Sequence, residues 1–252
     1  MTATILQVRH LQKAFGGRPV LRDVSFSLQR GVCAGLVGVS GCGKSTTARI
    51  IAGLETADSG ELVIGGQHYA AASRGTRARW RQVQLIFQQP EASFDPRRTL
   101  GWSIGEPLRQ QGVCGATLRQ QVQALLTRVE LPAALEERYP FEVSGGQCQR
   151  AAIARALAAR PQLLICDEVT SALDVTLQQH IVQLIRELCR TQDLACLFIT
   201  HDLPLLAQVA ERVGVMEAGQ LVEQGATEEL IAHPRSAAAR ALLGVDFFRM
   251  PR

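Results

Sequence analysis

The pattern of apolar and polar positions predicts strands in both halves of the chain. Two alternating runs within residues 4–30, separated by "GGRP", indicate two strands joined by a turn. Apolar runs at 34–38, 162–168 and 194–202 have the length of buried strands, and the last two end in polar residues. Residues 59–66 predict another strand, and 212–225 predict a hairpin that turns at "AGQ".

Helical spacing separates these strands. Residues 45–54 and 177–190 repeat apolar positions at the period of a helix, and residues 147–160 predict a helix with little β-branching. The stretch from about 89 to 159 is rich in Leu, Arg, Gln and Ala and interrupts the alternation of strands and helices. We therefore expect an α/β fold, with a mixed sheet flanked by helices, an N-terminal antiparallel β subdomain and an inserted α-helical lobe.

The whole chain of 252 residues is interpreted as one domain. Its core is expected at about 1–88 and 160–226, the lobe at 89–159, and a tail at 227–252 that begins with a short helix and then frays. Polar residues at the carboxyl ends of strands predict that a ligand binds where those ends converge.

Composition narrows the functional class. The chain has 46% apolar residues and a formal net charge of +4, and no basic run with interleaved aromatics, so no nucleic-acid partner is expected. The first ten residues lack the apolar core of a signal peptide, and no uncharged apolar run approaches the roughly 20 residues of a membrane span. The seven cysteines are scattered without a C-x-x-C pair, which favours reduced, mostly buried thiols.

A glycine-rich segment lies between a predicted strand and a predicted helix. "GVSGCGKS" fits the pattern G-x-x-x-x-G-K-[ST], in which glycines let the backbone wrap phosphates and successive N–H groups form an anion nest. Lys44 should reach the β- and γ-phosphates of a nucleotide, Ser45 should ligate Mg²⁺, and Thr46 should add a phosphate contact. The nucleotide-binding residues expected in this loop are Gly38, Ser40, Gly41, Gly43, Lys44, Ser45 and Thr46.

Polar residues at three other strand ends complete the expected site of hydrolysis. Asp167 should hold Mg²⁺, and Glu168 should polarise an attacking water. Gln88 is assigned to Mg²⁺ or the attacking water, and His201 to a hydrogen bond with a γ-phosphate oxygen. Taken singly, Gln88 could be a solvated loop residue, His201 a structural histidine and the two acids an exposed strand end.

A second glycine motif, "SGGQ" at 144–147, precedes another predicted helix. A helix N-terminus offers free N–H groups to an anion, yet this motif cannot reach the first nucleotide unless the lobe folds over it. The alternative is that two copies pack head to tail, so that each presents Ser144, Gly145, Gly146 and Gln147 to the nucleotide of the other. ATP would then hold the pair together, and hydrolysis would release it.

These motifs in this order resemble the ATP-binding cassette (ABC) family across essentially the whole chain. The resemblance implies an ATPase with ATP and Mg²⁺, a signature at 144–147, and an interface loop "SALD" (171–174) that contains Asp174. It also implies that Phe15 stacks on adenine and that His201 is the switch histidine. Val143 and Val169 replace the leucine and proline that are usual in the family, and neither has a direct catalytic role. Cys148 and Cys166 lie beside the motifs, either as small core residues or as oxidation-sensitive thiols.

A finer resemblance, at 86–108 and 232–243, is to peptide and nickel importers. It implies a second ATPase subunit, two integral membrane permease subunits and, indirectly, an extracytoplasmic binding protein, with the chain on the cytoplasmic face of the bacterial inner membrane. The permease contact is expected beside 88–110, with Phe94 and Arg97 on its rim. The alternatives are an ABC ATPase of another importer class, a soluble non-transport ABC ATPase, a non-hydrolysing partner in a heterodimer, and a small-molecule P-loop kinase. Intact Glu168 and His201 argue against the non-hydrolysing partner. The motif "SGGQ" together with His201 argues against the kinase.

Overall fold

The computed structural model describes residues 3–171 and 174–244, which form two β-sheets and nine α-helices. One sheet has four antiparallel strands in the order β2-β1-β4-β5. Its strands are β1 (Thr4–Phe15), β2 (Arg18–Gln29), β4 (Ser59–Ile64) and β5 (Gln67–Ala70). Buried positions alternate only locally along β1, and the buried residues of β2 (Leu21, Val24 and Leu28) are three and four positions apart, because register shifts interrupt the pairing of the two strands.

The second sheet has six strands in the order β10-β9-β3-β8-β7-β6. Five of its strands run parallel, and β10 pairs antiparallel with β9 at one edge. The strands are β3 (Cys33–Val37), β6 (Val83–Ile86), β7 (Leu163–Asp167), β8 (Ala195–Thr200), β9 (Arg212–Glu217) and β10 (Gln220–Ala226). Every residue of β7 and β8 is buried, as expected for parallel strands covered on both faces.

The helices flank this second sheet or form the lobe. The described helices are α1 (Lys44–Ala52), α2 (Arg77–Gln82), α3 (Leu100–Gln110), α4 (Gly115–Arg128), α5 (Gly145–Ala158), α6 (Val175–Gln192), α7 (Leu203–Leu206), α8 (Thr227–Ala232) and α9 (Ala237–Leu242). Helices α3, α4 and α5, which lie in the stretch predicted as the lobe, pack on one another. No described helix is both long enough and apolar enough to cross a membrane.

Two apolar clusters cover opposite faces of the six-stranded sheet. Leu163 and Ile165 of β7 belong to the cluster shared with α1 and the antiparallel sheet. Leu164 and Cys166, which point to the other face, belong to the cluster shared with α6 and the lobe. The lobe and the core therefore share one continuous apolar cluster, which fixes the second glycine motif relative to the strand ends.

Most predicted elements form close to their predicted limits, and the hairpin turns at Ala218 and Gly219, both with positive φ. The sequence pattern missed α2, α7 and β5, which have only six, four and four residues. Two predictions fall partly outside the described residues, namely the loop "SALD" at 172–173 and the end of the tail at 245–252. The division into core, lobe and tail stays a prediction.

Candidate functional site

Four neighbouring parallel strands direct the predicted site residues to one edge of the sheet. Gly38 follows β3, His201 follows β8, Asp167 ends β7 and Gln88 lies two residues after β6. These strands are adjacent in the order β3-β8-β7-β6, so their carboxyl ends line a single edge. An open α/β sheet binds ligands at this edge.

The glycine-rich loop after β3 is held tightly by its surroundings. Gly38 has φ +157° and Gly43 has φ +108°, and the latter lies in a region that non-glycine residues rarely adopt. A Cβ atom at Gly43 would stand 2.6 Å from a side-chain carbon of Leu21, and one at Gly38 would collide with the carbonyl oxygen of Met216. The loop thus lies against the β2 strand and the β9 strand end, with Ser40 and Gly41 exposed.

Helix α1 begins at Lys44 without a side-chain cap and without an acidic residue in its first turn. Its first-turn N–H groups and the positive end of its dipole therefore face the loop, where they favour an anion. The Lys44 ammonium is buried and donates to the carbonyl oxygens of Gly38 (2.7 Å) and Val39 (3.1 Å). A phosphate in this cradle would offer that ammonium a stronger, charged acceptor.

Ser45 and Asp167 form the next pair. The Ser45 hydroxyl donates to Asp167 Oδ1 at 3.0 Å, although 122 residues separate them. Burial raises the pKa of the Asp167 carboxyl above its ordinary value of 3.8, and the Ser45 hydrogen bond opposes that shift. A buried carboxylate that lacks a paired cation is suited to a bound metal ion.

Hydroxyl and carboxylate oxygens are the ligands that Mg²⁺ prefers, so Ser45 and Asp167 fit this ion. No group of three or more His, Cys, Asp or Glu side chains among the described residues could hold a metal by itself. Magnesium at this place would therefore take its remaining ligands from substrate phosphates and water, which is its usual arrangement in nucleotide sites.

Glu168 lies at the centre of the remaining polar residues. Gln88 Nε2 donates to Glu168 Oε2 at 3.0 Å and to Ser171 Oγ at 3.2 Å. His201 Nδ1 stands 3.8 Å from Glu168 Oε1. The structure thus brings together the three residues expected to act in hydrolysis. It adds Ser171, which the sequence assigned only to the interface loop.

Gln88 is placed beside Glu168 by its hydrogen bonds, and none of the hydrogen bonds of the described residues joins it to Ser45 or Asp167. Its role as a metal ligand therefore stays a prediction.

Phe15 ends β1 and is 46% exposed. The Lys13 ammonium lies 4.8 Å from the ring centroid. The β1–β2 hairpin also carries Leu21, which contacts Gly43, so Phe15 belongs to an element that packs against the glycine-rich loop. An exposed ring in this position is available for stacking on a base.

The second glycine motif has a structure of its own. Ser144 is the N-cap of α5, and its hydroxyl accepts from Gln147 N while the Gln147 side chain accepts from Ser144 N. This reciprocal pair is a capping box. A Cβ at Gly146 would stand 2.8 Å from Leu177 at the start of α6, whereas Ser144 and Gly145 are exposed.

The two motifs do not meet within one chain. Among the described residues, no hydrogen bond or ion pair joins residues 144–147 to residues 38–46. Asp174, the N-cap of α6, is exposed and accepts from Leu177 N at 3.0 Å. The exposed end of α5 and Asp174 are therefore available to a second molecule.

Arg155 of α5 is a residue that sequence reasoning missed. Its guanidinium donates to Ser93 O (2.6 Å) and Ser93 Oγ (2.7 Å), and it lies 4.3 Å from the centroid of the Phe94 ring. The signature helix is thereby attached to the segment that follows Gln88. An arginine within a helix gives no sequence signal for such a contact.

The prediction that Phe94 lies on the rim of the permease contact is wrong. Phe94 is only 5% exposed and belongs to the apolar cluster of the lobe, because it packs beneath Arg155. Arg97 is exposed, as predicted, and pairs with Asp95. A groove of about 430 Å³ lies between α2 and α3, and Ser93, which Arg155 contacts, is part of its lining.

Comparisons with known proteins agree on one family. Residues 21–171 match a family model described as ABC transporter. The chain is 40% identical to the oligopeptide transport ATP-binding protein OppF of Haemophilus influenzae, over 95% of this chain and 77% of that protein. It is 44% identical to the glutathione import ATP-binding protein GsiA of Pectobacterium atrosepticum over 88% of this chain, and it spans 36% of that longer protein.

A solved structure shares the fold. It is the dimeric structure of a post-hydrolysis state of the ATP-binding cassette MJ0796 bound to ADP and Pi. The TM-score is 0.79 at 26% identity, over 88% of this chain and 99% of that one.

Proposed function

The chain belongs to the ABC transporter family and is an ATPase subunit of that family, and we propose that it energises a bacterial importer by converting ATP and water into ADP and phosphate. The observation that carries this proposal is the convergence of Lys44, Asp167, Glu168 and His201 at one sheet edge. The names of the relatives favour peptide-like cargo, including glutathione. Nickel or metal chelates as cargo are compatible with the same ATPase site. The alternative function is that of a non-transport ABC ATPase.

The nucleotide phosphates bind to the glycine-rich loop and to the uncapped N-terminus of α1. Lys44 exchanges its loop carbonyl acceptors for the β- and γ-phosphate oxygens and thereby orients them. Phe15 stacks on the adenine ring from the edge of the β1–β2 hairpin.

Ser45 and Asp167 would hold Mg²⁺. When bound, the ion supplies positive charge that neutralises the phosphate oxygens during phosphoryl transfer. The Asp167 carboxyl provides a buried negative charge for it, and Ser45 fixes that carboxyl by donating its hydrogen bond.

Glu168 accepts a proton from the attacking water, which then bonds to the γ-phosphorus while the bond to the ADP oxygen breaks. Gln88 and His201 flank its two carboxylate oxygens and orient the side chain. His201 then faces the γ-phosphate as a hydrogen-bond donor.

The second cradle serves a partner ATPase subunit. Ser144 and Gly145 are exposed, and no described hydrogen bond ties them to the loop of the same chain. Two chains packed head to tail present residues 144–147 to the γ-phosphate held by the partner, and Asp174 lies at the same surface. This partner is a second copy or a related ATPase chain.

Permease subunits dock in the groove between core and lobe, which places the chain peripherally on the cytoplasmic face of the inner membrane. Trp80 of α2 and Pro107 of α3 line this groove, and Ser93 lies in it beside Arg155. Since Arg155 belongs to α5, the groove connects through one side chain to the signature helix. An extracytoplasmic binding protein would act on the permease and only indirectly on this chain.

Phosphate release from ATP tests the proposed activity. We expect the purified chain to release phosphate only with Mg²⁺, and Glu168→Gln to lower kcat by about 100-fold or more, because general-base catalysis contributes on that order. Glu228→Gln, at an exposed residue of α8, is the matched control and should retain full activity. Equal rates for Glu168→Gln and the wild type would contradict the assignment.

Coupling to transport is tested separately with Arg97→Ala, since Arg97 is exposed and Phe94 is buried. We expect unchanged ATP affinity and reduced uptake of labelled peptide in cells. Arg119→Ala, another exposed arginine of the lobe, serves as the control. Normal uptake with Arg97→Ala would place the permease contact elsewhere.

A further inference from the structure

Four of the seven cysteines meet in the core beneath α6. Cys33 and Cys196 are register partners on the neighbouring strands β3 and β8. Cys189 lies near the end of α6 and Cys166 on β7, and all four belong to the same apolar cluster. The sequence shows no such group, because the members are up to 163 residues apart (196 − 33).

The four thiols are grouped within this cluster. Cys196 Sγ lies 3.9 Å from Cys166 Sγ. Cys33 lies beside Cys196 across the β3–β8 strand pair, and the Cys33 and Cys189 thiols line the same cleft and are close enough to shift each other's pKa. Simple filling of a core would explain isolated thiols such as Cys148, but it gives no reason for four sulfurs to lie together.

Two of these thiols line a cleft. A cleft of about 710 Å³ opens between the end of α6 and the start of α8, and Cys33 and Cys189 are part of its lining. Cys33 and Cys189 are 3% and 4% exposed, whereas Cys166 and Cys196 are completely buried. Cys33 is the first residue of β3, so the cleft lies at the edge of the sheet opposite the nucleotide site. Its volume is ample for small polar molecules.

The Cys33 and Cys189 thiols differ in acidity. The neighbouring thiols of Cys196 and Cys33 lower the pKa of Cys189, and the Cys189 thiol raises the pKa of Cys33. The thiolate, which is the nucleophile, therefore forms first on Cys189. By contrast, burial raises the pKa of Cys148 to about 12, which makes that thiol unreactive although it lies beside the signature.

We propose that Cys33 and Cys189 form a dithiol modification site that small peroxides entering the cleft convert to a disulfide. The Cys189 thiolate attacks one peroxide oxygen, the O–O bond breaks, and a sulfenic acid forms while the released hydroxide takes a proton to become water. Cys33 sulfur then attacks Cys189 Sγ, the S–O bond breaks, and a second water leaves with the Cys33 proton. With hydrogen peroxide, two thiols are oxidised and one peroxide is reduced to two waters.

Peptide mapping tests the site on the folded protein. We expect limited hydrogen peroxide, followed by alkylation and non-reducing digestion, to yield a Cys33–Cys189 crosslink that dithiothreitol removes. Cys33→Ser and Cys189→Ser should each abolish it. Cys42→Ser and Cys148→Ser, at buried cysteines outside the group, should leave it intact. The proposal is overturned if the first crosslink joins Cys166 to Cys196, or if the exposed Cys114 is oxidised while Cys33 and Cys189 stay reduced.

A second measurement needs no variant and so does not depend on whether a variant folds. Phenylarsine oxide bonds to two neighbouring thiols and releases water. One equivalent should protect Cys33 and Cys189 together from later alkylation in the unfolded state and leave Cys42 and Cys148 unprotected. Alkylation of both Cys33 and Cys189 at the same extent as Cys148 would overturn the proposal.

Discussion

At the scale of single residues, the backbone at Glu168 explains how one carboxylate meets two partners. Its φ of +49° is uncommon for a residue with a side chain and follows directly on the fully buried strand β7. Strained positions of this kind cluster at functional sites. Here the bend directs Asp167 towards Ser45 and Glu168 towards Gln88 and His201.

The raised pKa of Asp167 predicts how the free energy of unfolding changes with pH. Because burial raises its pKa above 3.8, the folded state binds more protons than the unfolded state between the ordinary and the raised pKa. The free energy of unfolding therefore falls as pH rises through that window and stays lowered at pH 7. Without nucleotide, Asp167→Asn should be at least as stable as the wild type at pH 7, and this advantage should disappear below about pH 4.

Urea unfolding with and without Mg²⁺ and ATP measures both parts of this prediction. The wild type should gain stability from the nucleotide, and Asp167→Asn should gain much less, since it lacks the charge that holds Mg²⁺. Glu228→Gln should behave as the wild type. A variant clearly less stable than the wild type without nucleotide would show that the carboxylate is stabilising and the argument wrong.

At the scale of elements, the two glycine motifs differ in how their helices begin. Helix α1 starts without a side-chain cap, so its free N–H groups can donate hydrogen bonds to a ligand. Helix α5 starts with the capping box of Ser144 and Gln147, which satisfies part of its end within the chain. The first motif is thus a complete cradle, and the second offers an exposed face to a partner.

The other end of α1 depends on a buried arginine of α2. Arg79 is fully buried and donates to the carbonyl oxygens of Ile51 (3.0 Å) and Ile50 in the last turn of α1. Burial lowers the pKa of its guanidinium to about 10, so it stays protonated at pH 7. A cation at this C-terminal end also interacts favourably with the negative end of the helix dipole.

Replacing Arg79 should therefore be costly. We expect Arg79→Met to lower the free energy of unfolding by about 2 kcal/mol, because two buried carbonyl groups lose a charged donor. Arg81→Met, on the exposed side of the same helix, should change it by less than about 0.5 kcal/mol. Equal urea midpoints for the two variants would refute the capping role of Arg79.

The sequence predicts elements well where periodicity is long and strong. Strands β7 and β8 and helix α6 are evident from apolar runs and helical spacing. Short elements such as α2 escape notice, because six residues carry too little periodicity and their position depends on tertiary contacts such as that of Arg79. The roles of Arg155 and of the cysteine group likewise depend on contacts between distant segments.

At the scale of the whole molecule, one continuous arrangement connects groove, signature and hydrolysis site. Arg155 attaches α5 to Ser93, which lies five residues after Gln88, and Gln88 contacts Glu168. A partner in the groove and a nucleotide beside Glu168 therefore act on neighbouring parts of the same segment. Such a segment can transmit a conformational change between the groove and the nucleotide site if it can adopt two alternative conformations.

The central claim is that the second glycine motif binds the nucleotide of another chain. Light scattering of Glu168→Gln with Mg²⁺ and ATP tests it most directly, since slow hydrolysis should preserve an ATP-bound pair. Adding Ser144→Asp keeps a good N-cap for α5 but places a negative charge against the γ-phosphate. We predict a mass of twice 27.4 kDa for the single variant with ATP and a monomer for the double variant. A pair that persists in the double variant, or no pair even with a candidate partner ATPase chain, would contradict the account.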